Sequence, residues 1–442
     1  MGTRQAPRFK TDTLNGATSK LCPDGPERPG AWNYMTTASD SLLPSHPPHT
    51  LNYIYAARAA RDFGDGFVAV LLPAYLLALG LGAFEIGVVA TLALLGSAFT
   101  TLAIGMAGGK SDQRKLLIAA SLLMTVTGLV FATSHTYAMV LLISCIGTIN
   151  PSAGSVSIFV PLEQTILTRS VEAKARTKMF ARYSLIGAMA AALGALASGS
   201  PDVLAKAGLS QIAALKTMFL VYALLGAAGA LLYARIPAEP VRTEDKPVAA
   251  LGPSKAIVYK LAALFSVDSF ASGFAVQSLI ALWLFNKFGL SLSTAGMFFF
   301  WTGVATAFSF PVAAWLSARI GLINTMVFTH IPANLCLILA AIAPSLEIAL
   351  ALLLVRAALS QMDVPARSSY VMAVVTPPER PAAASVTSVP KSLASALSPA
   401  IGGALFAAGY EAWPLIICGL LKTLYDLALL WAFAHIRPPE EM

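Results

Sequence analysis

The sequence predicts an all-α membrane protein with twelve transmembrane helices, arranged as two pseudo-symmetric bundles of six. Hydrophobic residues make up 57% of the chain and charged residues only 12%. Soluble domains are about one quarter charged, so this composition indicates that lipid surrounds most of the chain. Apolar runs recur after residue 50, and landmarks of the first half return about 207 residues later.

The apolar runs have the length that a helix needs to cross a bilayer, about 20 residues. In chain order they are called spans 1 to 12. The predicted spans are 53–79, 84–107, 116–132, 137–162, 179–198, 213–234, 257–285, 294–316, 322–342, 348–372, 383–408 and 414–434. We expect Asn150 and Pro151 to interrupt span 4, because proline removes a helix hydrogen bond.

The segments outside the spans define the predicted domains. Residues 1–50 are rich in proline, serine, threonine and glycine, which predicts a disordered cytoplasmic leader. The first six-helix bundle is predicted over 51–236 and the second over 256–436. A polar, proline-containing stretch at 237–255 is the predicted cytoplasmic linker, and 437–442 is the predicted cytoplasmic tail.

An internal repeat relates the two predicted bundles. Gly66 in span 1 corresponds to Gly273 in span 7, and Gly194 in span 5 corresponds to Gly402 in span 11. Two parallel repeats of this kind place a pseudo-two-fold axis along the membrane normal. The repeat therefore predicts a site between the two halves.

Basic residues cluster in the loops that a cytoplasmic leader would place inside. The positive-inside rule then predicts that both termini are cytoplasmic. The net charge of +8 is explained by this topology, so nucleic acid is not an expected partner. We expect a monomeric, multi-pass protein in the lipid bilayer of the plasma membrane, or of the inner membrane if the source is a Gram-negative bacterium.

Span 10 carries charges within an otherwise apolar run. Arg356, Ser360, Asp363 and Arg367 are offset by four, three and four residues, so a continuous helix would align them in one stripe. Charges at membrane depth are costly unless they face a wet cavity or each other, and they mark transport pathways. The alternative interpretation is a structural ion pair that joins two helices.

Spans 1 and 7 also carry charges. Arg58, Arg61, Asp62 and Asp65 share one face of span 1. Asp268 has no partner within span 7, so it is the favoured proton-coupling residue. An acid in a dry cavity beside a movable arginine can exchange a proton.

The remaining acids and the polar groups at depth complete the candidate site. Asp363, Asp62 and Asp65 are further proton-coupling candidates, although their basic neighbours also suit them to gating. Either the basic groups bind an anionic substrate, or each is neutralised by an acid. The substrate-binding candidates are Arg61, Arg356, Arg367, Gln277, Asn150 and Lys391.

The turn after span 2 carries a recognisable motif. It contains Gly108 and Asp112, followed by Arg114, and a weaker copy in the second half ends near Arg319. Together with the six-plus-six spans and the central linker, this turn resembles the major facilitator superfamily. The resemblance implies a conformational latch at Gly108, Asp112, Arg114 and Arg319, and a cavity lined by spans 1, 4, 7 and 10. The turn departs from the family pattern because it is short and lacks the second glycine.

Other function classes fit the sequence poorly. The five histidines are dispersed and no His-Glu-x-x-His motif occurs, so we expect neither an enzyme nor a metal or cofactor site. Paired charges on several helices suit alternating gates better than a channel. We therefore predict a proton-coupled secondary active transporter that moves a small organic solute by alternating access. The alternatives are a drug or metabolite efflux antiporter and a non-transporting receptor on a transporter fold.

Overall fold

The computed structural model describes residues 49–107, 112–134, 136–152, 157–170, 176–237, 251–376 and 379–433. Within these ranges the chain forms sixteen helices and no β-strand, which confirms the all-α prediction. The helices are α1 (His49–Ala78), α2 (Ala83–Ala107), α3 (Gln113–Thr133), α4 (Tyr137–Ile146), α5 (Phe159–Arg169), α6 (Arg176–Ala197), α7 (Ser200–Lys206), α8 (Gln211–Ala234), α9 (Lys255–Gly273), α10 (Gln277–Phe288), α11 (Leu292–Ile320), α12 (Leu322–Ala341), α13 (Leu346–Leu359), α14 (Asp363–Ala373), α15 (Arg380–Ala407) and α16 (Trp413–Phe433).

Nine segments within the described ranges are long and apolar enough to cross a membrane. The chain is therefore a multi-pass membrane protein. The other three predicted spans, 1, 4 and 11, are not among these nine segments, and the reason differs for each. Helix α1 carries four charged residues in its first half, span 4 is divided into two short helices, and α15 contains many serines and prolines.

Three predicted spans are broken near their middle. The break in span 4 contains Pro151, as predicted. The prediction of one continuous helix is wrong for span 7, which divides into α9 and α10 after Gly273. A Cβ atom at Gly273 would overlap Ser398 of α15, so the glycine permits close approach where α9 ends.

Span 10 is also broken, between α13 and α14. Helix α13 ends at Leu359 and α14 begins at Asp363, whose carboxylate lies in the first turn of the new helix. An acidic residue in that position stabilises a helix start. The break separates Arg356 from Asp363 and Arg367. The prediction of one continuous polar stripe along span 10 is therefore wrong.

Helix packing turns the charged segments inward. Helix α1 packs against α6 and α8, and it also contacts α10 and α11. Helix α9 packs against α15 and α16, while α12 packs against α13, α14 and α16. As a result Asp62 and Asp65 of α1 and Asp268 of α9 are buried inside the helix assembly.

Hydrogen bonds also join the segment before residue 237 to the segment after residue 251. The Asp202 carboxylate accepts from the backbone N–H and the hydroxyl of Ser293, at 2.9 and 2.6 Å. The Thr91 hydroxyl of α2 accepts from Ala400 N of α15 at 2.9 Å. At the breaks in spans 4 and 7, Ser278 N donates to the Pro151 carbonyl at 3.1 Å.

Candidate functional site

Five side chains around the first half of α1 form a closed ring of ion pairs and hydrogen bonds. Arg58 Nε lies 2.5 Å from Asp62 Oδ2, and Arg61 Nη2 lies 3.2 Å from Asp62 Oδ1. Arg61 Nη1 lies 3.2 Å from Glu163 Oε1. Tyr183 donates to Glu163 and accepts from Arg58 Nη1 at 2.9 Å. Two arginines and two carboxylates therefore neutralise each other within the ring.

The local sequence explains how this first ring forms. The helix period places Arg58, Arg61 and Asp62 on one side of α1, as predicted. Glu163 comes from α5, beyond the break in span 4, and is fully buried. Tyr233 of α8 donates to Glu163 at 2.5 Å. Every buried carboxylate of the ring thus has charged or hydrogen-bonded partners, which is the condition for ionised groups at membrane depth.

Asp65 lies one turn further along α1 and outside the ring. It is buried, and its Oδ1 atom accepts from the Tyr222 hydroxyl of α8 at 3.3 Å. The same hydroxyl also lies 3.2 Å from the Thr148 carbonyl, so it is shared between two acceptors. Among the described residues Asp65 forms no ion pair. Its carboxyl group is additional to those that the ring neutralises.

A second cluster joins α9, α14 and α16. Arg367 Nη2 of α14 lies 2.9 Å from Asp268 Oδ2 and also contacts Asp363, one turn earlier on the same helix. Lys422 Nζ of α16 lies 2.7 Å from Asp268 Oδ1. Two cations and two anions again neutralise each other. The partners of Asp268 lie on other helices, so the residue spacing within span 7 gave no indication of them.

Lys391 of α15 is adjacent to this second cluster. Its ammonium group interacts electrostatically with Arg367, Asp268, Asp363 and Lys422. Within the described ranges it has neither a hydrogen bond nor an ion pair, and its side chain is half-buried. Lys391 is therefore a basic group beyond those that the cluster neutralises.

Arg356 does not join the cluster that sequence spacing suggested. It is half-buried at the end of α13, and its electrostatic neighbour is Cys418 of α16. No hydrogen bond or ion pair reaches its guanidinium group from the part of the chain that the structure describes. It stays a candidate substrate-binding residue at a separate position.

A third polar group connects α12 and α16. His330 Nδ1 lies 3.1 Å from Asp426 Oδ1, and Asn334 Nδ2 donates to Asp426 Oδ2 at 2.9 Å. The spacing of Lys422 and Asp426 suits a pair on one helix face, but each binds a different partner. Both carboxylate oxygens of Asp426 thus have a partner within the helix packing.

The remaining candidates are dispersed. Asn150 is buried at the break in span 4, where its Oδ1 accepts from Ser152 N at 2.9 Å. Gln277 lies half-buried at the start of α10. Both remain predictions as substrate-binding residues.

The predicted latch is described only in part. Gly108 lies outside the described residues. Asp112 caps the start of α3 by accepting from Arg114 N at 3.0 Å, and Arg114 donates to the Ala234 carbonyl of α8. The Arg319 guanidinium lies 4.2 Å from the Trp315 ring centroid, one turn earlier on α11. Each of these contacts stays within its own half of the chain.

A further carboxylate, Glu379, lies just before α15 and binds the residues that precede α9. Glu379 accepts from Thr376 Oγ1 at 2.6 Å and from Ser254 Oγ at 2.7 Å, and it also accepts from Gly252 N. These hydrogen bonds lower the pKa of the Glu379 carboxyl group to about 2. Glu379 thereby ties the start of α9 to the start of α15.

Sequence reasoning missed the hydrogen-bonding tyrosines, the role of Glu163 and the pairing of Lys422. Tyr183, Tyr222 and Tyr233 occur in apolar runs, where an aromatic residue usually indicates packing. Glu163 follows Pro161 near the predicted end of span 4, which gave no sign of a buried acid. Their partners come from other helices, so spacing along the chain could not reveal them.

Comparison with known proteins identifies the family. The sequence profile described as Major Facilitator Superfamily matches residues 54–355 and 261–442, which together cover most of the chain. The chain belongs to the major facilitator superfamily. This finding confirms the family resemblance and the prediction of a transporter rather than an enzyme.

Individual relatives agree with the family. An uncharacterized membrane protein of Saccharomyces cerevisiae is 23% identical over 422 residues, covering 87% of this chain and 94% of the relative. The fold resembles a bacterial homolog of the human lysosomal transporter Spinster in an inward-facing, occupied conformation. That comparison gives a TM-score of 0.65, 17% identity, and coverage of 92% of this chain and 96% of the homolog.

A second solved structure has a similar fold. The nucleoside transporter NupG superposes with a TM-score of 0.66 at 15% identity, covering 87% of this chain and 98% of NupG. At this level of identity the likeness concerns the fold alone, because one fold hosts many functions. The substrate must therefore be sought in the residues of this chain.

Proposed function

We propose that this protein is a proton-coupled secondary active transporter that moves a small organic solute by alternating access. The observation that carries the proposal is Asp65, a buried carboxylate whose described partner is a neutral tyrosine. Protonation removes its charge without breaking an ion pair of the neighbouring ring. Such a group can gain and lose a proton in each cycle.

Asp65 suits this role better than Asp268, which sequence reasoning favoured. Asp268 lies within 3 Å of two cations, and a proton there would leave Lys422 without its anion and Arg367 with Asp363 alone. Breaking a buried ion pair on one side is strongly unfavourable. Asp268, Asp363 and Asp62 are therefore proposed to hold or gate the helices.

Twelve spans in two bundles are the proposed architecture of this transporter. Joining α4 with α5, α9 with α10 and α13 with α14 converts the described helices into twelve spans and the short α7. The pairing of α1 with α6 and of α9 with α15 has the same order in each half, and the 207-residue repeat agrees with it. Residues 51–236 and 256–436 would form the two bundles.

Alternating access is supported by where the two halves touch. With the leader and both termini cytoplasmic, the hydrogen bonds of Ser293 and Ala400 lie in the outer half of the protein. On the inner side, Arg114 and Arg319 keep to their own halves. These contacts suit a carrier that is open towards the cytoplasm, with its latch released.

The proposed setting follows from the same orientation. We place the protein as a monomer in the plasma membrane, or in the inner membrane of a Gram-negative source. Efflux by proton antiport remains an alternative, because Asp65 would serve import and export equally. A non-transporting receptor is the other alternative. Counterflow of labelled substrate separates a receptor from a transporter, because a receptor binds the substrate without exchanging it across the membrane.

The test compares Asp65→Asn with wild type in proteoliposomes. A thermal-shift screen first selects the compound that stabilises the purified full chain most. Its labelled form is then followed in counterflow and in uptake driven by a pH gradient. We expect Asp65→Asn to abolish gradient-driven uptake and to retain counterflow, since exchange needs no net proton movement.

Two control variants make this result specific. Glu347→Gln at the exposed start of α13 should retain both activities at the wild-type ratio. Asp268→Asn should lower both, because it leaves Lys422 uncompensated and removes one of the two carboxylates that pair with Arg367. Unchanged gradient-driven uptake in Asp65→Asn would remove this carboxylate from the mechanism. Binding without counterflow in wild type would favour a receptor.

A further inference from the structure

Lys391 carries a charge that the described residues do not neutralise. The second cluster contains Arg367 and Lys422 against Asp268 and Asp363, so its charges already cancel. The ammonium group beside it adds one positive charge. An ammonium group placed at membrane depth without a partner is strongly unfavourable. Its cost falls when water or an anion reaches it, and the half-buried side chain permits both.

The repeat shows what the equivalent position does in the other half. At an offset of 208 residues, Lys391 corresponds to Tyr183 of α6. Tyr183 is satisfied, because it donates to Glu163 and accepts from Arg58. The ring in the first half thus closes with protein groups alone. At the corresponding point of the second half, a cation takes the place of the hydroxyl and no described acceptor meets it.

The charges of the two halves are complementary in a way that bears on the substrate. Asp65 is the acid without an ion pair beside the first ring, and Lys391 is the base without an ion pair beside the second cluster. A proton on Asp65 and an oxyanion on Lys391 would leave both regions neutral. A cationic solute would instead meet the net positive charge of the second cluster with Lys391, which repels it.

We infer that the transported solute is an organic anion whose carboxylate or phosphate binds the Lys391 ammonium group. The inference rests on the proposed transport function and names the substrate class of its site. An ammonium group on a flexible stem binds either oxyanion as a point charge, so both chemistries are included. Lys391 acts in substrate binding, whereas Arg367 and Lys422 stay engaged with Asp268.

The test measures ligand binding and does not depend on transport. The purified full chain is melted with benzoate, succinate and phenyl phosphate, and with benzamide and benzylamine as neutral and cationic controls. At least one of the oxyanions is expected to raise the melting temperature at about 10 mM or below. Benzamide and benzylamine are expected to leave it unchanged.

Three variants assign the binding to Lys391. Lys391→Met should weaken binding of the stabilising oxyanion at least about tenfold, and Lys391→Arg should keep most of it because the charge is retained. Without ligand, Lys391→Met should melt above wild type, since an uncompensated charge is removed. Lys422→Met should melt below wild type, because it takes one of two cations from Asp268.

Several outcomes would overturn the inference. Wild type that no oxyanion stabilises, or that benzylamine stabilises as well as benzoate, would exclude an anion site. Undiminished binding by Lys391→Met would exclude this residue. Failure of the proposed function looks different, because oxyanions would then bind without any counterflow. Proton-driven uptake of a cation would retain the transporter and reject the anion.

Discussion

The Tyr222 hydroxyl lies 3.3 Å from Asp65 Oδ1 and donates a hydrogen bond to a carboxylate that forms no ion pair among the described residues. A donor to the ionised form makes protonation harder. Tyr222→Phe should therefore shift the pH of half-maximal gradient-driven uptake upward by about half a unit to one unit. The measurement is initial uptake in proteoliposomes across a series of external pH values.

Tyr75→Phe is the matched control for Tyr222→Phe. Tyr75 is also buried, on α1 itself, but its hydroxyl donates to the Phe131 carbonyl. Its loss should lower thermal stability without moving the pH midpoint. An identical midpoint shift in both variants would show that the effect of Tyr222 does not pass through Asp65.

Gly187 of α6 makes room for the charged ring. A Cβ atom there would overlap Asp62 Oδ2 and lie 2.6 Å from Arg58 Nε. Gly187→Ala should destabilise the protein by about 2 kcal/mol, although alanine favours a helix. Gly229→Ala on α8 is the control, since its nearest atom would be Ser121 Oγ at 3.3 Å. Detergent melting curves compare the two, and equal melting temperatures would contradict the prediction.

Asp202 fastens the start of α11 on the proposed outer side. Asp202→Ala removes the acceptor of both Ser293 hydrogen bonds, and a loss of about 1 kcal/mol changes the ratio of two conformations about fivefold. Spin labels at Val203 and Asn286 should then report a larger population with separated outer ends. Asp202→Asn retains an acceptor oxygen, so its population with separated outer ends should lie between those of wild type and Asp202→Ala. Equal distance distributions in all three proteins would remove this contact from the gate.

Glu379 provides a test of pH-dependent stability outside the membrane. Its pKa of about 2 lies below the ordinary carboxyl value. Its hydrogen bonds therefore stabilise the fold fully above pH 4.5 or so, and this contribution disappears as the pH falls towards 2. Glu379→Gln should melt below wild type at neutral pH, and the difference should shrink on acidification. Thr376→Val should reproduce part of the effect, whereas a difference that is constant down to pH 3 would refute it.

The helix content and the inward position of the charged face of α1 could be predicted from the sequence. Charged and apolar residues recur there at the spacing of an α-helix. Arg58, Arg61 and Asp62 do share a face, and the i, i+4 pair of Asp363 and Arg367 forms as the spacing indicates. These features depend on residues within one or two turns of each other. A sequence contains that information directly.

The breaks and the pairing across helices could not be predicted in the same way. The break after Gly273 lies where α9 closely approaches Ser398 of α15, which is 125 residues away along the chain. Likewise the partners of Asp268 are 99 and 154 residues away. These distant contacts determine which buried charged groups lack an ion-pair partner. The roles proposed for Asp65 and Lys391 depend on that outcome.

The hydrogen bond from Ser278 N to the Pro151 carbonyl joins two interrupted helices at their breaks. Each interruption frees a main-chain group that its own helix no longer satisfies, and each supplies the partner for the other. Any rotation that parts the two interruptions must hydrate both groups at the same moment. Water must therefore reach the Ser278–Pro151 contact before the two helix breaks can separate. If the interior stayed dry, this rotation would not occur.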